Sequence, residues 1–234
     1  MTTLLIATRN AHKVAEIQAI LGGDFRFLTL KHVPAAPAVV EDAETFAGNA
    51  TKKAMGLARW LAEYRPTFDG EPATVNFVLA DDSGLEVDAL AGAPGVHSAR
   101  FAALEGNVAV PVAGNSPDAD NNAKLLRLLL GVPMARRTGR FRCVIALAPV
   151  PTETVQNASP VCFADEFAVQ TFDGACEGRI QFAPRGRGGF GYDPLFVPDG
   201  FAQSFAELGE DAKNRLSHRA KALAKLKRFF GQRD

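Results

Sequence analysis

The sequence predicts an α/β fold with a long central mixed β-sheet flanked by helices. Three observations lead there. Short apolar runs alternate with helical patterns from Thr3 to Ala80, and strand-like runs then cluster from Cys143 onward. A hydrophobic content of 47% with 22% charge is enough to bury a substantial core. The 234 residues suit a single 1–234 domain, whether one body or two lobes sharing a sheet.

The elements follow in order. Thr3 to Ala7 reads as a short buried strand. Asn10 can cap a helix running to about Leu21, with Val14, Ile17 and Leu21 on its apolar face and Gly22-Gly23 as its stop. Leu28 to Leu30 suggests a second strand, and Pro34 to Asp42 an extended acidic loop. Ala50, Ala54, Leu57 and Leu61 mark a helix from Phe46 to Tyr64. Val75 to Ala80 is an apolar strand that ends, on this reading, at two adjacent carboxylates. Ser116-Pro117-Asp118 opens a helix with Ser116 as cap and Pro117 at its first position. Cys143 to Ala148 and Val161 to Phe172 read as long strands, and Ser217 begins a last helix carrying Leu223, Leu226 and Phe230. Segments 65–73, 105–115 and 149–160 look like surface insertions.

The totals exclude several classes. Formal net charge is zero, so no basic face for nucleic acid is required. Cys143, Cys162 and Cys176 lack CxxC spacing and suit reduced thiols in a cytoplasmic protein. Leu4 to Ala7 is too short an apolar run for a signal peptide or a membrane span. Asn49-Ala50-Thr51 and Asn157-Ala158-Ser159 match the glycosylation pattern, which carries no meaning without secretion. There is no HExxH, GxSxG or Walker-A sequence, and the four histidines lack metal-ligand spacing.

Five segments carry chemistry. Thr8-Arg9-Asn10-Ala11-His12-Lys13 lies where a strand hands over to a helix, a place where free N–H groups favour an anion. The bland reading there is plain capping by Asn10. Glu41-Asp42-Ala43-Glu44 is an acidic loop before a helix bearing Lys53, and acids are common at helix starts. Asp81-Asp82-Ser83-Gly84 is either a solvated turn or a set of hard oxygen ligands suited to Mg2+. The glycine-rich run Pro184 to Pro194 satisfies GxGxxG in letters but leads into apolar Leu195-Phe196-Val197, so it is not the dinucleotide fingerprint. Its exposed main chain, arginines and aromatic rings suit a phosphate or a stacked base; a structural hairpin is the other reading. Near the end, His218 and Arg219 follow the cap Ser217. Positive residues there oppose the helix dipole unless they face an anion or a carbonyl oxygen; otherwise both point into solvent.

Taken together and in order, these segments resemble the inosine triphosphate pyrophosphatase family. The likeness runs from Leu4 to about Phe229. It rests on Ala7-Thr8-Arg9-Asn10 with Lys13, Phe46 with Asn49-Ala50 and Lys53-Ala54, Ala80 to Leu85, Gly92 to Gly95 with Ser98-Ala99-Arg100, Gly188 to Pro194, and Ser217-His218-Arg219. The resemblance implies two lobes with a nucleotide cleft between them, a homodimer, and no nucleic-acid or membrane partner. It implies Mg2+-dependent cleavage of non-standard purine nucleoside triphosphates (ITP, dITP, XTP) to the monophosphate and pyrophosphate. By motif, Asp82 is the general base and a metal ligand, and Glu41 the second metal carboxylate. Thr8, Arg9, Asn10, Ala11, His12, Lys13, Lys53, Ser83 and Lys213 lie on the phosphate side. Phe190, Gly191, Tyr192, Asp193, His218 and Arg219 form the base pocket. Two departures stand out: Gly48 where Glu is usual, and Asp42-Ala43-Glu44 where Thr-Gly is common. Glu44 or Asp81 could therefore share the metal. A pyrophosphatase for other modified nucleotides and a nucleotide-binding regulator without turnover are the alternatives.

Overall fold

A computed structural model describes residues 1–68, 71–72, 74–104, 114–151 and 168–232 of the chain. Cys162, the 157–159 glycosylation match, the start of the expected 161–172 strand and most of the 105–115 and 149–160 insertions lie outside the described residues. The described elements are β1 (Thr2–Ile6), α1 (Ala11–Leu21), β2 (Phe25–Thr29), α2 (Phe46–Tyr64), β3 (Thr67–Phe68), β4 (Glu71–Pro72), β5 (Phe77–Val87), α3 (Asp118–Leu128), β6 (Thr138–Pro149), β7 (Gln170–Ile180), β8 (Phe196–Pro198), α4 (Phe205–Leu216) and α5 (His218–Gly231).

Six strands form one open mixed sheet in the order β2-β1-β5-β6-β7-β8. β1 runs parallel to both β2 and β5, with Leu5 opposite Leu28 and Val78, whereas β7 and β8 are antiparallel. Leu4, Leu5 and Ile6 are fully buried, as a parallel strand covered on both faces requires. β3 and β4 pair as a separate two-stranded ribbon within the expected 65–73 insertion. No helix among the described residues is long and apolar enough to cross a membrane.

By its internal contacts the chain forms two compact units. Unit 1 holds 1–82, 144–173 and 222–234; unit 2 holds 83–143 and 174–221. Within unit 1 an aromatic cluster seats the end of α5: Phe230 lies 5.0 Å from Phe25 and 5.6 Å from Phe77, and Phe229 lies 5.5 Å from Phe172, centroid to centroid. Within unit 2 the core gathers Leu85, Val87, Phe101, Leu125, Leu129, Phe141, Phe196 and Phe205.

Local signals placed α1 and α2 well. Asn10 accepts from the His12 and Lys13 amides to start α1, and Thr45 Oγ1 accepts from Gly48 N to start α2. Three expectations need correction. β5 does not end at Ala80 but continues through Asp81 and Asp82 to Val87. The reason is the strand's own alternation: successive side chains point to opposite faces, so two neighbouring carboxylates need not share one environment. α3 begins at Asp118, with Pro117 as its uncapped N-cap residue, one position later than the Ser116 reading. α4 was not anticipated, although Ser204-x-x-Glu207 is a complete capping box. Its helical path breaks at Gly209, which disguises the periodicity.

Candidate active site

Unit 1 brings the first three sequence segments together. Asp81 is buried and its carboxylate pairs with Lys13 Nζ from the first turn of α1. That contact offsets the poor placement of a cation at a helix start. Lys53, from the middle of α2, donates to Glu41 Oε2 at 2.8 Å and to the Asp81 carbonyl at 2.7 Å. Its ammonium also lies 3.8 Å from Asp82 Oδ1. Asn49 on the same helix accepts from Ala43 N at 2.9 Å, which pins the acidic loop against α2.

Asp82 is the outlier in this cluster. It is buried, yet its Oδ2 has no hydrogen-bond partner among the described residues. Burial pushes its carboxyl up from 3.8 to about 6, against the pull of Lys53 and Lys13, with Glu41 and Asp81 adding to the rise. A group poised there is ionised at neutral pH and able to take a proton. An orphaned, desolvated carboxylate oxygen also suits a hard cation. Among the described residues no cluster of three or more His, Cys, Asp or Glu could hold a metal. Two carboxylates, Asp82 and Glu41, are what Mg2+ needs when substrate phosphates supply further oxygens. Asp81 is committed to Lys13, and Glu44 is exposed at the loop surface.

The remaining members of the first segment are placed more plainly. Arg9, Ala11 and His12 are exposed, and Thr8 Oγ1 accepts from Asn10 N at 3.2 Å. Asn10 caps α1, so two of the helix's free amides are already satisfied. Gly48 allows the acidic loop to approach: a Cβ there would fall 2.7 Å from Ala43 Cβ. A side chain at 48 and the methyl of Ala43 therefore exclude each other unless the loop moves.

Unit 2 assembles the other candidates. His218 and Arg219, at 4% and 1% exposure, do not point into solvent. The His218 ring stacks on Phe141 at 4.9 Å, and Arg219 Nη2 donates to Ser83 Oγ at 2.9 Å. Ser217 Oγ accepts from Ala220 N, the cap that the sequence suggested. Asp193 is a hub: its Oδ2 accepts from Phe190 N at 2.8 Å and from Lys213 Nζ at 2.6 Å. The Lys213 ammonium also sits 4.0 Å over the Phe190 ring. Lys213 thus lies beside Phe190 and Asp193 within unit 2. Tyr192, expected in the base pocket, lies in the unit 2 core and its hydroxyl donates to the Ser98 carbonyl at 2.8 Å. Gly191 is held by two residues outside the expected set, Asp118 and Asn122 of α3. Their only sequence signal was a cluster of acid and amide in the first turns of a helix.

Comparison with known proteins identifies the family and the fold. A sequence model of the Ham1 family matches residues 4–229. A Desulforamulus reducens protein named dITP/XTP pyrophosphatase is 45% identical over 95% of this chain and 92% of its own. A Geobacter sulfurreducens protein of the same name is 44% identical over 99% of this chain and 98% of its own. The structure of the Staphylococcus aureus Ham1 protein is similar throughout both chains, with a TM-score of 0.74 at 29% identity. The nucleoside-triphosphatase / dITP/XTP pyrophosphatase of Mycobacterium abscessus is similar over 96% of this chain and 98% of its own, with a TM-score of 0.66 at 33% identity.

Proposed function

This chain belongs to the Ham1 family, and from that premise we propose that it is a hydrolase cleaving non-standard purine nucleoside triphosphates to the monophosphate and pyrophosphate. ITP, dITP and XTP are its substrates. The observation that carries the catalytic part is Asp82: buried, held at about 6, with Oδ1 3.8 Å from the Lys53 ammonium and Oδ2 without a hydrogen-bond partner among the described residues.

Asp82 accepts the proton of the attacking water. Lys13 and Lys53 bring positive charge to the triphosphate, each preset by a carboxylate partner. Ser83, the residue after the base, is oriented by Arg219. Bound at Asp82 and Glu41, Mg2+ would neutralise phosphate charge and make water more acidic. Phe190 offers a ring for base stacking, and Arg219 and the main chain near His218 donate to the 6-oxo group of hypoxanthine or xanthine. Adenine's 6-amino group would leave those donors unsatisfied, which is costly at a buried site. The family resemblance also supports a homodimer, which sedimentation would test. The buried Cys143 and Cys176, which lack CxxC spacing, support a cytoplasmic location.

The deciding experiment incubates the protein with Mg2+ and a panel of triphosphates and measures pyrophosphate against orthophosphate. Pyrophosphate release favouring ITP and XTP over ATP and GTP is expected. Preference for modified pyrimidines would move the chain to the first alternative, and binding without turnover to the second.

A further inference from the structure

The loop that carries Phe190 is fastened by a helix assigned no part in the reaction. Asp118 and Asn122 lie one turn apart on α3 and so share a helix face. Asp118 Oδ2 accepts from Gly191 N at 2.6 Å, and Asn122 Nδ2 donates to the Gly191 carbonyl at 2.9 Å. The two contacts grip the peptide planes on either side of one Cα. Gly191 has φ +62°, and a Cβ there would meet nothing within 4 Å. Packing around that Cα therefore does not fix its torsions, and glycine itself supplies no preference between hands. The hydrogen bonds are what select the conformation. Asn122 keeps its donor on Gly191 although its Oδ1 is buried without a partner among the described residues, an arrangement that costs free energy.

What the grip controls is the residue before it. Phe190 is tied at its amide to Asp193 Oδ2, its carbonyl accepts from Asp193 N at 3.3 Å, and its ring lies under Lys213. Rotation about Gly191 would swing Phe190 away from this frame. We propose that Asp118 and Asn122 are positioning residues for substrate recognition, locking the Gly191 peptides so that the Phe190 ring is held ready to stack on the purine. The proposal rests on the base-side reading given above. Neither residue touches the nucleotide. Their effect is on recognition of the ring, not on the hydrolytic step.

The test compares Asp118→Ala, Asn122→Ala and Asp118→Asn with the wild type. The last variant keeps an oxygen that can accept from Gly191 N. Three quantities are read: kcat and KM for ITP and XTP, the exchange rate of the Gly191 amide by NMR, and the melting temperature. Both alanine variants should raise KM roughly tenfold with kcat changed less than about twofold, as expected for losing one hydrogen bond that preorganises binding. Asp118→Ala should speed Gly191 exchange, and Asp118→Asn should restore most of both losses. An unchanged KM alongside faster exchange overturns the proposal, because the grip would then exist without serving recognition. Equal falls in kcat and melting temperature, without a KM effect, reduce the pair to scaffold and also overturn it. Asp118→Asn as impaired as Asp118→Ala would assign the effect to charge and remove the hydrogen bond from the argument. Failure of the substrate reading is distinct: it appears in the wild type as no turnover of ITP or XTP. That result overturns the proposal too, whatever the Gly191 exchange rates.

Discussion

Asp82 and Asp193 are both buried, one in each compact unit, and both stand near a lysine. Their surroundings nevertheless differ. Asp193 is bound on one oxygen by a lysine at 2.6 Å and a backbone amide at 2.8 Å. Asp82 has its nearest lysine 3.8 Å away and leaves an oxygen without a partner among the described residues. A carboxylate compensated by short hydrogen bonds is a fixed structural charge. One left under-compensated is raised in pKa and held ready to bind a proton or a cation. The same side chain is thus compensated in one unit and under-compensated in the other, and the difference lies in what its neighbours supply.

The sharpest way to break this comparison is Asp82→Asn. Turnover of ITP should fall roughly 10²–10⁴-fold, the usual cost of losing a general base, with nucleotide binding kept. Wild-type kcat in the variant would end the catalytic assignment. Asp193→Ala should act on folding first. It leaves the Lys213 ammonium buried without this carboxylate, at a cost of about 3–5 kcal/mol in urea unfolding. Replacing both residues, as in Asp193→Ala with Lys213→Met, should recover much of that loss. A stable Asp193→Ala protein would show that the pair is not structural.

Stability against pH separates the two aspartates in a different way. In chelator, folded Asp82 titrates near 6 and its ordinary value is 3.8. Between those values the folded state binds the extra proton. The contribution of Asp82 to stability therefore falls as pH rises from about 4 to about 6 and is level above that. The full span is about 3 kcal/mol, at about 1.4 kcal/mol per pH unit. Asp82→Asn should flatten this slope in denaturant titrations, and an unaltered slope would assign it to other groups. The smallest expected effect is Arg219→Ala, which should lower kcat/KM for ITP roughly ten- to a hundred-fold and for ATP much less. Equal losses would place Arg219 on the phosphates and leave the base to other donors.

Much of the frame was legible in the sequence. α1 and α2 carry their own caps and one apolar face, so their bounds follow from nearby residues: Asn10 and Gly22 for α1, and Thr45 for α2. β5 misled because adjacent charges look like a stop. A strand carries them when Lys13 and Lys53 meet them from outside its own sequence. α4 had a readable cap in Ser204 and Glu207, but the break at Gly209 interrupts the periodicity that would have confirmed it. The burial of His218 and Arg219 was half legible: the dipole argument said that they should not face water, but not what they would meet.

The sequence by itself determined the fold class, the caps and periods of α1 and α2, and the ordered set of motifs that identifies the family. Each cap, period and single motif depends on residues within a few positions of one another. Only the tertiary structure decided which charges meet. Lys13 finds Asp81 across 68 residues, Arg219 finds Ser83 across 136, and Gly191 is gripped from 73 and 69 residues away. No local preference encodes those partners. They follow from which segments the sheet and its covering helices bring side by side, and a buried polar group must be matched there or bear the cost of desolvation. Asp82 bears that cost, and this separates it from every other carboxylate described in the chain.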